Sequence, residues 1–132
     1  MDRKTILVAD DETHILNVLS LKLSNAGYRV LPAEDGAEAL NLALSEHPDV
    51  IITDYQMPRM SGLELCSRLR SHPSTSDIPA ILLTARGFSI SPQEMAQVNI
   101  RSVMSKPFSP REVLSRVQVV LATAPVAGAA VC

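Results

Sequence analysis

Five polar residues of this chain each stand at the end of a short apolar run. Asp10 and Asp11 follow Ile6-Leu7-Val8-Ala9. Asp54 follows Val50-Ile51-Ile52-Thr53, Thr84 follows Ala80-Ile81-Leu82-Leu83, and Lys106 follows Val103-Met104-Ser105. Three carboxylates, a hydroxyl and an ammonium suit a divalent cation together with a phosphoryl group. Two ionised carboxylates about 5 Å apart repel by about 3 kcal/mol at an effective dielectric of about 20. Three of them in one pocket therefore call for a hard cation with oxygen ligands. Mg²⁺ takes few protein carboxylates and accepts a phosphate beside them. Lys106 offers a point charge to phosphoryl oxygens, Thr84 offers a hydroxyl, and backbone N–H groups after the third and fourth runs would complete the cradle. One carboxylate can then act as nucleophile. Asp54 is the candidate, because it stands alone after its run while the Asp10-Asp11 pair is placed to hold metal.

Each residue by itself has a plainer explanation. An Asp-Asp pair caps helices. A threonine ends a strand, a lysine sits in solvent, and an aspartate ahead of Met57-Pro58 forms a turn. The repetition of the pattern, polar group after apolar run, is what favours a shared site.

The elements that would position these groups alternate five times between strand and helix. Strands are expected at 5–9, 28–31, 50–53, 79–83 and 102–104. Helices are expected at 12–26, 36–46, 62–71, 92–98 and 110–123. Gly27 suits the left-handed position that ends the first helix. Ser61 with Glu64, Ser91 with Glu94 and Ser109 with Glu112 fit capping boxes, and Asp35 with Glu38 is a looser version. Pro92 and Pro110 occupy first helical positions, where a missing N–H costs nothing. The central runs are continuously apolar, as strands covered on both faces must be. Together these features predict an α/β fold with a doubly wound five-stranded parallel sheet and helices on both faces. The flavodoxin-like order 2-1-3-4-5 would set the first and third strands side by side and unite Asp10, Asp11 and Asp54 at the ligand-binding edge.

The bulk numbers are consistent with one domain. The chain has 132 residues, of which 46% are hydrophobic and 3% aromatic, so the core is aliphatic. A net charge of −2 without a basic stripe argues against nucleic acid as a partner. No apolar stretch is long enough for a membrane. The start, Met1-Asp2-Arg3-Lys4, does not read as a signal peptide, and Cys66 and Cys132 make no metal or redox motif. A reducing cytoplasm is the expected location. The domain is expected over 4–123, with the Ala-rich 124–132 a disordered tail or the start of a linker. His47 and His72 precede prolines at helix ends, where a cation suits the dipole. His14 lies on a helix, and none of the three reads as a phosphohistidine or metal ligand.

The chain resembles the receiver domain of bacterial two-component response regulators. The resemblance is carried by Val8-Ala9-Asp10-Asp11-Glu12, by Asp54 through Gly62 (Asp-Tyr-Gln-Met-Pro-Arg-Met-Ser-Gly), by Leu83-Thr84-Ala85 and by Lys106-Pro107-Phe108. It implies that Asp54 accepts a phosphoryl group from a phosphohistidine on a sensor histidine kinase or histidine phosphotransfer protein. It implies that Asp10, Asp11, Asp54 and the backbone carbonyl of Gln56 bind Mg²⁺, and that Thr84 and Lys106 contact phosphoryl oxygens. An altered protein surface would then be read by a downstream protein. Gln56 and Arg86 occupy variable positions that would tune the lifetime of the acyl phosphate. Two departures are visible. Val103 stands where the family has an aromatic switch residue, and Asn99-Ile100 replaces a common Gly-Ala; asparagine can adopt the left-handed conformation itself.

A partner surface is expected on the first helix. Ile15, Leu16, Leu19, Leu23 and Ala26 form one apolar face at helical spacing. Val18 and Leu21 lie off it, beside His14 and Lys22, and in the family this helix and the Pro107-Phe108 loop dock the phosphodonor. Two other classes compete with the phosphoacceptor switch, which is itself not an enzyme beyond its own phosphorylation and dephosphorylation. A pseudo-receiver would bind partners without phosphorylation, but it would not need all five site residues. An aspartyl-phosphate phosphatase would want a second acid two residues after the nucleophile, where Gln56 stands. No Gly-rich loop follows a strand, which disfavours a nucleotide site.

Overall fold

The computed structural model describes residues 3–84, 91–106 and 108–123. Five strands and five helices alternate: β1 (Thr5–Ala9), α1 (Thr13–Asn25), β2 (Arg29–Ala33), α2 (Gly36–Glu46), β3 (Val50–Asp54), α3 (Gly62–Arg70), β4 (Ala80–Thr84), α4 (Pro92–Gln97), β5 (Ile100–Ser105) and α5 (Pro110–Thr123). The strands form one parallel sheet in the order β2-β1-β3-β4-β5. The chain winds outward from β1 to β2, then returns to place β3 on the other side of β1. The crevice between β1 and β3 is thus the point where winding reverses.

Alternate residues along each strand feed two layers. Ile6 and Val8, Val50 and Ile52, Ile81 and Leu83, and Met104 pack against Leu16, Leu19 and Leu23 of α1 and Val113, Val117 and Val120 of α5. Leu7, Ala9 and Ile51 face Ala39 and Ala43 of α2 and Leu65 and Leu69 of α3. β1, β3 and β4 are buried at every position, which is why their sequences show no polar alternation. Cys66 is a free, buried thiol, and burial pushes its pKa up to about 12.

The caps follow the serines. The Ser61 hydroxyl accepts from the Glu64 N–H, Ser91 and Glu94 form a reciprocal box, and Ser109 and Glu112 exchange bonds of 3.1 Å each. Gly27 has φ +101°, the left-handed stop expected for α1.

The sheet edges depart from expectation. β2 runs two residues further and includes Pro32, which an edge strand tolerates because it has a side with no ladder to join. β5, expected at 102–104, begins at Ile100. Its exposed Arg101 breaks the apolar run, but pairing of Ala80 with Ile100 carries the strand through. Asn99 does adopt the left-handed conformation (φ 58°), and its Oδ1 accepts from Arg101 Nε at 2.9 Å. Ala26 does not join the buried face of α1. The helix ends at Asn25, and Ala26 is exposed at the cap. Among the described residues no helix is long and apolar enough to cross a membrane.

Candidate functional site

The C-terminal ends of β1, β3, β4 and β5 converge on one edge. Asp54 is the last residue of β3, paired in register with Leu83, and Thr84 is the last of β4, paired with Ser105. Asp10 follows β1 directly and is fully buried; its N–H donates to the Ala33 carbonyl. Its Oδ1 accepts from the Glu12 N–H at 2.9 Å. This Asx-type turn lifts the chain off the sheet and aims the Asp10 side chain inward.

Lys106 reaches back over the edge. Its Nζ lies 3.0 Å from Glu12 Oε1, 3.3 Å from Asp54 Oδ1 and 3.9 Å from Asp10 Oδ2. A short backbone bond from the Lys106 N–H to the Thr84 carbonyl, 2.8 Å, fixes where the lysine starts. One carboxylate oxygen each from Asp10, Glu12 and Asp54 falls within 4.8 Å of the others.

The electrostatics follow from burial. Removal from water pushes the Asp10 carboxyl up to about 6, with the charges of Asp54 and Glu12 adding to it; the Glu12 N–H and Lys106 oppose. Burial also raises Asp54, against the pull of Lys106, and the charges of Asp11 and Glu12 add to the rise. Burial alone would lower the Lys106 ammonium. The carboxylates of Glu12, Asp10 and Asp54 more than reverse that, so it is held above the ordinary lysine value.

Three buried side-chain oxygens have no hydrogen-bond partner among the described residues; Ser20 Oγ lies on α1, and the other two, Asp10 Oδ2 and Thr84 Oγ1, are in the site. Buried polar atoms are rarely left so. A hard cation answers Asp10 Oδ2, and a phosphoryl oxygen answers Thr84 Oγ1. The donor set is all oxygen on the acid side and one ammonium beside it, which fits Mg²⁺ and phosphate together.

The expected site residues fall into three groups. Asp10, Asp54, Thr84 and Lys106 meet at the edge. Asp11 is exposed at the crevice mouth and acts on Asp54 through its charge; Glu12, quoted in the sequence motif but given no role there, supplies the third close oxygen instead. The only sequence signal for Glu12 was that it continues the acidic run after β1. Gln56 is exposed in the loop after β3, and Val103 is half-buried against Cys66, Ala80, Leu82 and Ile100. Arg86, Pro107 and the segment 124–132 lie outside the described residues.

Gly62 is a close-approach position. A Cβ there would collide with the Asp54 carbonyl oxygen and meet Leu82 Cδ1 at 2.9 Å. Its N–H donates to the Tyr55 carbonyl at 2.8 Å. The start of α3 is thereby pinned against the strand end that carries Asp54.

The α1 surface follows the expected spacing except at Ala26, and Ile15 is half-buried. Leu16, Leu19 and Leu23 are buried, Val18 is 47% exposed and Leu21 63%. Next to the site, Glu12, His14, Ile15, Val18, Lys106 and Phe108 line a groove of about 340 Å³. Beyond it, Leu21, Lys22 and Arg111 help line a second hollow of about 610 Å³.

Fold and site together define a doubly wound α/β domain with an acid–lysine centre at its topological switch point. The model of the response regulator receiver domain family matches residues 6–118, and the chain belongs to that family. It is 40% identical over 118 residues to the phosphate regulon transcriptional regulatory protein PhoB of Pseudomonas aeruginosa, covering 89% of this chain and 52% of that protein. It is equally identical, over 118 residues, to the alkaline phosphatase synthesis transcriptional regulatory protein PhoP of Bacillus subtilis, covering 89% and 48%. The chain thus spans about half the length of these relatives. Among solved structures, the chemotaxis response regulator CheY4 of Vibrio cholerae superposes with a TM-score of 0.82 at 34% identity, over 90% of this chain and 99% of that one. The receiver domain of Francisella response regulator 1452 gives 0.80 at 31% identity, over 91% and 98%. Receiver domains are phosphoacceptor switches of two-component signalling, and this chain is such a switch.

Proposed function

We propose that Asp54 is the phosphoacceptor and that residues 4–123 form the switch. A carboxylate oxygen of Asp54 attacks phosphorus in a phosphohistidine of a sensor histidine kinase or histidine phosphotransfer protein. The O–P bond forms as the N–P bond breaks, and the electron pair of that bond stays with the imidazole nitrogen. Lys106 neutralises charge on the phosphoryl oxygens and the Thr84 hydroxyl donates to one of them. Asp10, Asp11, Asp54 and the backbone carbonyl of Gln56 would hold Mg²⁺, which when bound offsets the phosphoryl charge. Gln56 and Arg86 flank the attacking water of hydrolysis and set the lifetime of the product. The chain catalyses only its own phosphorylation and dephosphorylation.

The observation carrying this reading is the burial of Asp54 at the end of a central strand, 3.3 Å from Lys106 and beside the Thr84 hydroxyl, which has no hydrogen-bond partner among the described residues. The phosphodonor docks along α1, on His14, Ile15, Val18, Leu21 and Lys22, and on Pro107-Phe108; the groove beside Lys106 leads from that surface to the site. Output passes through protein contacts of this domain, not through nucleic acid or a membrane, and its place is the cytoplasm. That placing rests on the phosphohistidine donor.

The test is incubation with Mg²⁺ and acetyl phosphate followed by intact mass, with Asp54→Asn as control. One phosphoryl group gained, dependent on Mg²⁺ and absent in the control, is the expected result. No gain, with phosphoramidate and a fast quench as well, would leave a pseudo-receiver.

A further inference from the structure

Lys106 has three carboxylates in reach, and the nearest is not the phosphoacceptor. Its hydrogen bond of 3.0 Å goes to Glu12, a residue on the crevice mouth whose side chain is 48% exposed, while Asp54 lies at 3.3 Å and Asp10 at 3.9 Å. Glu12 is joined to the site by its backbone as well, through the N–H bond to Asp10 Oδ1. The ammonium is therefore suspended between the loop after β1 and the end of β3. A phosphoryl group added to Asp54 enters the same space and presents three oxygens, one of which must take over the lysine.

We propose that Glu12 is a positioning residue that latches Lys106 while Asp54 is unmodified and gives it up to the phosphoryl group. This rests on Asp54 being the acceptor. Holding the lysine on Glu12 keeps it from closing fully on Asp54, where a tight ion pair would mask the nucleophile. It also sets a threshold, because the bound phosphoryl group must displace a carboxylate to gain its cation. The latch explains why a third acid is drawn to within 4.8 Å of two others in a site that already repels carboxylates. With Glu12 committed to the lysine, the exposed Asp11 is left free for the metal side.

The experiment is beryllofluoride binding, a phosphoryl mimic, to the full chain at saturating Mg²⁺, followed by amide NMR shifts. Wild type is compared with Glu12→Gln and Glu12→Asp, and Mg²⁺ affinity without beryllofluoride is measured for each. The loss of one partly exposed ion pair predicts beryllofluoride bound about two- to five-fold more tightly by Glu12→Gln. Glu12→Asp keeps the charge but is one methylene shorter, so it loses the 3.0 Å contact and should follow Glu12→Gln. If Glu12→Asp instead matches wild type, simple repulsion explains the effect and the latch is wrong. Unchanged or weaker binding by Glu12→Gln overturns it too, and a large loss of Mg²⁺ affinity would mark Glu12 as a metal ligand. If wild type itself fails to bind beryllofluoride, the acceptor reading falls first and the latch with it.

Discussion

Replacing Asp10 with asparagine should stabilise the metal-free protein at neutral pH. Asp10 is fully buried and its Oδ2 has no hydrogen-bond partner among the described residues. Burial lifts its pKa from the ordinary 3.8 to about 6. An acid that binds its proton more tightly when folded favours the folded state while protonated. That advantage is lost as pH rises through about 4 to about 6, and above this window the folded state carries the full penalty of the buried charge. At about 1.4 kcal/mol per pH unit, the penalty is about 3 kcal/mol. Asparagine keeps the oxygen that accepts from the Glu12 N–H, and its new amide can donate to the Asp54 carboxylate. The 3.9 Å attraction to Lys106 is already part of that balance, so the expected gain is the same, about 3 kcal/mol. Urea unfolding at pH 8 without divalent cation should then show a midpoint about 1.5 M higher for Asp10→Asn. At pH 3.5 the wild-type side chain is neutral as well, and the two curves should nearly coincide. Saturating Mg²⁺ at pH 8 should raise the wild type by mass action and leave Asp10→Asn unmoved. The reasoning is refuted if the substitution destabilises at pH 8, or if its effect is the same at both pH values.

Three further outcomes are expected. Gly62→Ala drives a methyl group into the Asp54 carbonyl, which should cost about 1–3 kcal/mol of stability; because the displaced backbone carries the acceptor, acetyl phosphate should label it more slowly than a variant of equal stability altered far from the site, and equal labelling rates would sink the claim. Val18→Ser with Leu21→Ser removes two exposed apolar side chains from α1; phosphotransfer from a histidine phosphodonor protein should slow at least several-fold while labelling by acetyl phosphate holds, and equal loss with both donors would count against the docking surface. Replacing Gln56 and Arg86 together with alanine should change the hydrolysis rate of the acyl phosphate, read as the decay of the phosphorylated mass; an unaltered rate removes both from the assignment.

The central sheet was legible because burial on two faces leaves a plain signature. β1 matches its run residue for residue, as do α2 and α5, whose starts are fixed by Gly36 after Asp35 and Pro110 after Ser109. The edges were less legible because an edge strand need only satisfy one neighbour. Pro32 in β2 and Arg101 in β5 read as interruptions until the pairing partner is known. The same division holds at the site. Asp54, Thr84 and Lys106 announce themselves by ending strands, and a strand end has a fixed direction in a parallel sheet. Asp10, Asp11 and Glu12 lie on a turn, where position in the chain does not fix which way a side chain points. Only the bond from the Glu12 N–H to Asp10 Oδ1 decides that Asp10 turns inward, Glu12 reaches the lysine and Asp11 stays exposed.

The charges that mark the site also explain why it can switch. β1, β3 and β4 are buried throughout, so they give the edge a rigid backbone on which repulsion is not relieved by movement. Asp10 and Asp54 are both raised by burial and by neighbouring acids, and each must be answered by a proton, by Lys106 or by a cation. Among the described residues, the unmodified site shares one lysine among three carboxylates and leaves the Thr84 hydroxyl without a hydrogen-bond partner. A phosphoryl group on Asp54 would turn that carboxylate into an acyl phosphate, a mixed anhydride, and would offer new acceptors to both Lys106 and Thr84. Thr84 and Lys106 anchor the ends of β4 and β5, and the half-buried Val103 lies three residues before the lysine, against the α4-side cluster with Met95 and Val98. A β-branched valine has little χ1 freedom, so no ring rotation is available to carry the change outward. Displacement at the Lys106 end of β5, which unlike β1, β3 and β4 is not buried throughout, is the route that the packing leaves open.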